Sequence, residues 1–144
     1  MTSPSSLNYA GDVSAADAWA KLSGDPNAQL VDVRTMAEWN FVGVPDVSSL
    51  GRQVHCIEWQ SFPTGEQNGA FLNEVAQALS DKEAPVLLLC RSGARSRAAA
   101  IALTNAGFRH AFNIADGFEG SVDADGHRGA RNGWKAAKLP WRQG

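Results

Sequence analysis

Only two cysteines, Cys56 and Cys90, stand among the 144 residues, too few to suggest a disulfide framework. A bridge between them is not expected in a reducing compartment. Long apolar runs are missing too: none approaches the roughly 20 residues needed to cross a bilayer, so no membrane partner is expected. Positive charge is not in excess. Thirteen Lys and Arg face fifteen Asp and Glu, a net charge of −2, which removes any general electrostatic case for nucleic acid or acidic lipid. The opening Met1-Thr2-Ser3-Pro4-Ser5-Ser6 has no basic region followed by an apolar one, which argues against a signal peptide and makes cytoplasmic the expected localisation. Neither CxxC nor HExxH occurs, and His55, His110 and His127 offer no ligand spacing. His55 and Cys56 are neighbours on a predicted strand and point to opposite faces, so they do not chelate one ion. No metal and no cofactor are expected. Internal repeats and low-complexity segments are also lacking.

What is present suits one ordinary domain. Hydrophobic residues make up 44% and charged residues 19%, a globular rather than a disordered composition. Predicted strands alternate with predicted helices, which implies an α/β fold with a mainly parallel central sheet flanked by helices on both faces. The expectation is a single domain over 1–144, with its core at about 13–120 and an extension over 121–144 that packs back.

The chain is organised around Val86-Leu87-Leu88-Leu89-Cys90-Arg91-Ser92-Gly93-Ala94-Arg95-Ser96. The aliphatic run reads as a strand buried on both faces. It stops at Cys90. A small-residue turn follows, and from Arg95 the sequence is strongly helix-forming. Cys90 therefore sits at the carboxyl end of a strand, where open α/β sheets place their ligand sites. Loop amides and the first N–H groups of the helix can converge there on an anion, helped by the helix dipole. Arg91, Arg95 and Arg97 add three cations. Such a field favours the nucleophilic thiolate without a separate general base.

These residues resemble the rhodanese-like sulfurtransferase family. Cys90-Arg91-Ser92-Gly93-Ala94-Arg95-Ser96 is similar to that family's active-site loop, and Leu30-Val31-Asp32-Val33-Arg34-Thr35 with Glu38-Trp39 is similar to its Asp-Val-Arg segment. The resemblance runs from about Val13 to Gly120, and Asp116-Gly117-Phe118-Glu119-Gly120 resembles the Gly-rich segment after the last strand. One departure stands out: Gly43 to Gly51 lacks the compact Gly-His-Ile-Pro-Gly-Ala turn common in the family. The resemblance implies a rhodanese-like fold with Cys90 as nucleophile, and Arg91, Ser92, Gly93, Ala94, Arg95 and Ser96 as the substrate-binding cradle. It implies sulfane-sulfur transfer from thiosulfate or a persulfide, through a Cys90 persulfide, to a thiophilic acceptor such as cyanide or a thiol. The partners implied are a small-molecule or protein sulfur donor and that acceptor; oligomeric state is not legible.

Two rival functions remain. One is a non-catalytic binding or regulatory module on the same fold. The other is a cysteine phosphatase or arsenate reductase, disfavoured because Cys-x5-Arg would need arginine where Ser96 stands.

Along the chain, residues 1–8 read as frayed and Tyr9–Val13 as a short edge strand. Ser14–Asp17 reads as a capping box for a helix through Leu22, with Val13, Ala16, Trp19, Ala20 and Leu22 as its apolar face. Gln29–Val33 is a predicted central strand, and Thr35–Glu38 caps a short helix. Asp32, Arg34 and Glu38 read as scaffold that holds a turn. Gln53–Ile57 is a predicted strand in which Cys56 packs. Trp59, Phe62 and Pro63 read as core or loop packing rather than pocket wall. Phe71, Leu72, Val75, Ala76 and Leu79 share a face of a helix of about three turns. Ala98, Ala99, Ala102 and Ala106 form a small-residue face on the helix after Cys90, Gly107 caps that helix, and Arg109–Ile114 is the final strand. The tryptophans near the end predict a helix packed back on the body.

Overall fold

Four consecutive aliphatic side chains, Val86 to Leu89, are completely buried and form strand β5 of the computed structural model, which describes residues 8–61 and 63–143. The expected fraying of residues 1–8 falls almost wholly outside the described residues, as does Phe62. Among the described residues the chain runs β1 (Gly11–Val13), α1 (Ala15–Gly24), β2 (Gln29–Asp32), α2 (Met36–Phe41), β3 (Val44–Pro45), β4 (His55–Cys56), α3 (Phe71–Ala78), β5 (Val86–Leu89), α4 (Ala94–Asn105), β6 (Ala111–Ile114) and β7 (Trp141–Arg142), with a 3-10 turn at Ser48–Leu50.

Five strands make one parallel sheet in the order β1-β6-β5-β2-β4. β5 is its middle strand, which is why its sequence does not alternate: both faces must be apolar. β2 lies inside the sheet, next to the centre. Alternate β5 residues feed two cores. Val86 and Leu88 pack with Val31, Phe71, Val75, Ala99, Ala100 and Leu103, under α3 and α4. Leu87 and Leu89 pack with Leu30, Ala15, Ala18, Leu22, Phe118 and Trp134, under α1 and the C-terminal segment. Each fully buried leucine contributes about 1.5–3 kcal/mol by leaving water. The sheet therefore carries helices on both faces.

Of the two expected capping boxes, the one at Thr35 is complete, and at Ser14 only the N-cap hydroxyl half is made. Ser14 Oγ accepts from Asp17 N–H at 3.0 Å to start α1, and Thr35 with Glu38 closes a reciprocal capping box on α2. Gly107, at φ 101°, follows the cap of α4.

Helix faces are where the structure corrects the sequence. α1 buries Ala15, Ala18 and Leu22, while Ala16 and Ala20 are exposed. α3 spans eight residues, hardly more than two turns, and buries Phe71 and Val75; Leu72 and Ala76 face outward. α4 buries Ser96, Ala99, Ala100 and Leu103; of the expected alanine stripe only Ala99 is fully buried, and Ala98, Ala102 and Ala106 are half-buried. In each case several apolar or small residues allow two adjacent stripes, and contact with the sheet selects one.

The edges differ too. The strand expected over Gln53–Ile57 pairs only at His55 and Cys56, on the sheet's edge, so Cys56 is exposed rather than packed. The C-terminal segment packs back, but as turns and a strand, without the expected helix. β7 pairs antiparallel with β3, in the Gly43–Gly51 region that departs from the family pattern, so β6 is not the final strand. Trp134 is fully buried, its indole N–H donating to Pro140 O at 2.7 Å and its ring 5.8 Å edge-on from Trp19.

Candidate active site

The β5 run delivers Cys90 to the carboxyl edge of the sheet with only 1% of its surface exposed. Its sulfur receives the Gly93 N–H at 3.1 Å, and Ser96 Oγ lies 3.2 Å away on the first turn of α4. Gly93 starts that helix at φ 108°, and a side chain there would run into the Ala115 carbonyl. No residue but glycine turns the chain so sharply without strain. Behind the loop, Phe118 N–H donates to Cys90 O at 2.8 Å, and the N–H groups of Glu119 and Gly120 both donate to Arg91 O. Trp134 N–H in turn donates to Gly117 O at 2.8 Å. The tail, anchored by buried Trp134, thus buttresses the segment that holds the cysteine loop.

The three arginines have different surroundings. Arg97 leaves the cysteine and reaches Tyr9, its Nε donating to the phenol at 3.3 Å. Arg95 makes a two-pronged pair with Glu38, at 2.7 and 2.9 Å. Burial alone would raise the Glu38 carboxyl, but the Arg95 hydrogen bonds and charge, helped by Thr35 N–H and by Arg34, hold it below its usual value. The same bonds raise the Arg95 guanidinium further. Arg91 is exposed and forms no ion pair among the described residues.

Arg91, Arg95 and Glu38 line a groove of about 580 Å³, with Phe41, Gln60, Pro63 and Glu119 among its other walls. Pro63 thus does form wall, whereas Trp59 packs edge-on against Phe71 at 5.0 Å. Of the remaining cradle residues, Ser92 and Ala94 are exposed, Gly93 is buried under the sulfur, and Ser96 is buried behind it. Sequence reasoning set Glu38 aside as scaffold. It is that, through the capping box, but it also lines the groove and neutralises a loop arginine. Asn113 was missed altogether: its carboxamide oxygen receives the Ser96 hydroxyl at 2.6 Å, 17 positions along the chain.

Asp32 and Arg34 hold a turn as expected. They pair at 2.6 Å with both side chains fully buried, Arg34 Nη2 donates to Gly43 O at 2.7 Å, and the guanidinium lies 4.3 Å over the Phe118 ring. Cys56 offers no ready disulfide partner to Cys90. In register it sits beside Asp32, which sits beside Leu89, so two strand spacings of about 4.8 Å separate the thiols' positions. Among the described residues no group of three or more His, Cys, Asp or Glu could hold a metal ion. No described helix is long and apolar enough to cross a membrane.

Comparison with known proteins bears on the family and the fold. The model of the STR4 middle domain matches residues 10–144. The rhodanese-like domain-containing protein 4, chloroplastic, of Arabidopsis thaliana is 32% identical over 132 residues, covering 91% of this chain but 25% of the plant protein. The crystal structure of Rv0390 from M. tuberculosis is 54% identical, with a TM-score of 0.87 over 94% of this chain and 99% of that one. The solution structure of the polysulfide-sulfur transferase homodimer from Wolinella succinogenes is 26% identical, with a TM-score of 0.64 over 92% of this chain and 78% of that one.

Proposed function

Because the chain belongs to the rhodanese-like family, we propose that it is a sulfurtransferase of the thiosulfate type that carries sulfane sulfur on Cys90. The observation that supports this most is a buried cysteine whose sulfur receives an amide N–H and whose loop sends two arginines into the wall of a groove. Its similarity to a polysulfide-sulfur transferase supports sulfane sulfur as the cargo.

The Cys90 thiolate attacks the outer sulfur of thiosulfate. An S–S bond forms, the sulfur–sulfonate bond breaks, and its electron pair leaves on sulfite. Gly93 N–H stabilises the charge on the sulfur, and Arg91 meets the donor's oxygens. A thiophilic acceptor, cyanide or a thiol, then attacks the terminal persulfide sulfur, and the pair of the breaking S–S bond returns to Cys90 as thiolate. A persulfide donor enters the same cycle, with a thiolate leaving in place of sulfite. A cytoplasmic setting is part of the proposal, because a sulfur carrier at Cys90 has to be kept as a free thiol, as a reducing compartment does.

The test is intact mass after incubation with thiosulfate, before and after cyanide, with thiocyanate followed in parallel. One added sulfur, lost as thiocyanate appears and absent in Cys90→Ser, is the expected result. Folded protein that loads from neither thiosulfate nor a small persulfide would make a non-catalytic binding module the better reading.

A further inference from the structure

A line of polar side chains runs from the cysteine at the end of β5, across β6, to the edge strand β1. Ser96 Oγ lies 3.2 Å from Cys90 Sγ and 2.6 Å from Asn113 Oδ1. Asn113 Nδ2 donates to Asp12 Oδ1 at 3.0 Å, and the Tyr9 hydroxyl donates to the same oxygen at 2.8 Å. Burial first, and the bond to Asp12 second, hold the Tyr9 phenol in its protonated form. Ser96 is fully buried and Asn113 nearly so.

Counting hydrogens gives this line a direction. A carboxylate only accepts, so Asn113 must turn its NH2 toward Asp12 and its carbonyl oxygen toward Ser96. That oxygen has no hydrogen, so the short contact at 2.6 Å requires the Ser96 hydroxyl to donate to it. Ser96 has one hydrogen. What it presents to Cys90 is therefore a lone pair, which suits an S–H donor and opposes a thiolate.

We propose that Asn113, anchored by Asp12, is a positioning residue that claims the Ser96 hydrogen and so makes Ser96 favour the protonated thiol of Cys90. This rests on the reading of Cys90 as the reactive sulfur. When Cys90 loses its proton, Ser96 must either face the anion with a lone pair or rotate, breaking its bond to Asn113 and leaving a buried carbonyl oxygen unpaired. Both cost free energy. The network sets the sign of the Ser96 contribution, against the pull of Gly93 N–H, Arg91 and Arg95. The other charges carried by elements around the site are Arg97 on α4, which donates to the Tyr9 hydroxyl, Glu38 on α2, Asp32 with Arg34 around the end of β2, and Asp116 and Glu119 after β6.

The test is the pH profile of iodoacetamide alkylation at Cys90, read by mass spectrometry of the Cys90 peptide so that Cys56 does not contribute. In Ser96→Ala the profile moves to lower pH, and the rate at pH 7 rises about 3–10-fold, because an acceptor for the thiol is gone. In Asn113→Ala the rise is larger, because the Ser96 hydrogen is free to turn to the sulfur. Asp12→Asn changes an exposed edge residue and removes the fixed direction of the line; it raises the rate about twofold and serves where Asn113→Ala does not fold. A lower rate in Ser96→Ala, with the profile moved to higher pH, would mean that the hydroxyl donates to the thiolate and would overturn the proposal. So would an unchanged profile in Ser96→Ala. Alkylation needs no sulfur donor, so this test can fail while sulfur loading succeeds, and the reverse.

Discussion

Glu38 and Arg95, 57 positions apart, meet in a two-pronged ion pair at the wall of the groove beside Cys90. The pair ties the capping box of α2 to the first turn of α4. It also takes up much of the charge that Arg95 would otherwise offer a small anion, leaving Arg91 as the groove-lining arginine with no ion pair among the described residues. Both side chains keep about a fifth of their surface in water, so the pair is neither fully screened nor fully desolvated.

Glu38→Gln separates these two roles. With the carboxylate neutralised, Arg95 is free to turn to thiosulfate, and KM for thiosulfate is expected to fall about threefold to tenfold, the net worth of one ordinary hydrogen bond at a partly solvated site. Arg95→Ala is expected to raise it. Steady-state thiocyanate assays decide the matter. A higher KM in Glu38→Gln would mean that the ion pair serves the donor by holding the loop.

The same pair predicts a pH dependence of stability. The Glu38 carboxyl is held below its ordinary value of 4.5, so the folded state binds its proton less readily than the unfolded chain. Its contribution is complete above that ordinary value and is lost as pH falls through the folded one. Tm of the protein and of Glu38→Gln, measured from pH 7 to pH 3, should differ by a constant amount above about pH 5 and converge below it. A constant gap down to pH 3 would show that the carboxylate charge is not what stabilises, since glutamine keeps the Thr35 capping bonds.

Gly93→Ala should damage the site more than its size suggests. Its φ of 108° disfavours any side chain, and the added carbon meets the Ala115 carbonyl. Stability is expected to fall by about 1–3 kcal/mol, with sulfur loading slowed because the N–H that faces the cysteine moves with the turn. Urea unfolding and intact mass read the two effects. Normal loading with lowered stability would show that this amide is dispensable.

Trp134→Ala removes the largest fully buried side chain, far along the tail. The expected loss is about 3–5 kcal/mol, from lost burial and the cavity left behind. Because the Trp134 ring packs in the same core as Phe118, whose N–H supports the Cys90 carbonyl, alkylation of Cys90 should become faster as that support loosens. A variant of unchanged stability would show the tail to be an accessory.

Local patterns carried a large part of this structure. The Val86–Leu89 run, the cysteine at its end, the glycine that turns the loop and the Ser14 and Thr35 caps depend on residues within a turn or two of each other, so they read directly from the order of side chains. The family resemblance rests on the same short stretches. The helix faces were only half legible, because α1, α3 and α4 each offer adjacent apolar stripes, and the choice belongs to the sheet beneath.

What only the tertiary structure decided is which partner each polar side chain finds. Arg95 pairs with Glu38 across 57 positions, Asn113 orients Ser96 across 17 and joins Asp12 across 101. The tail closes on the Gly43 region as a strand rather than a helix, since β3 there offers an unpaired backbone edge. Composition and spacing set the elements because hydrophobic burial is non-directional and local periodicity is enough to satisfy it. The site's electrostatics were beyond their reach: a hydrogen bond or an ion pair has a direction and a distance, and those exist only once remote parts of the chain have been brought together.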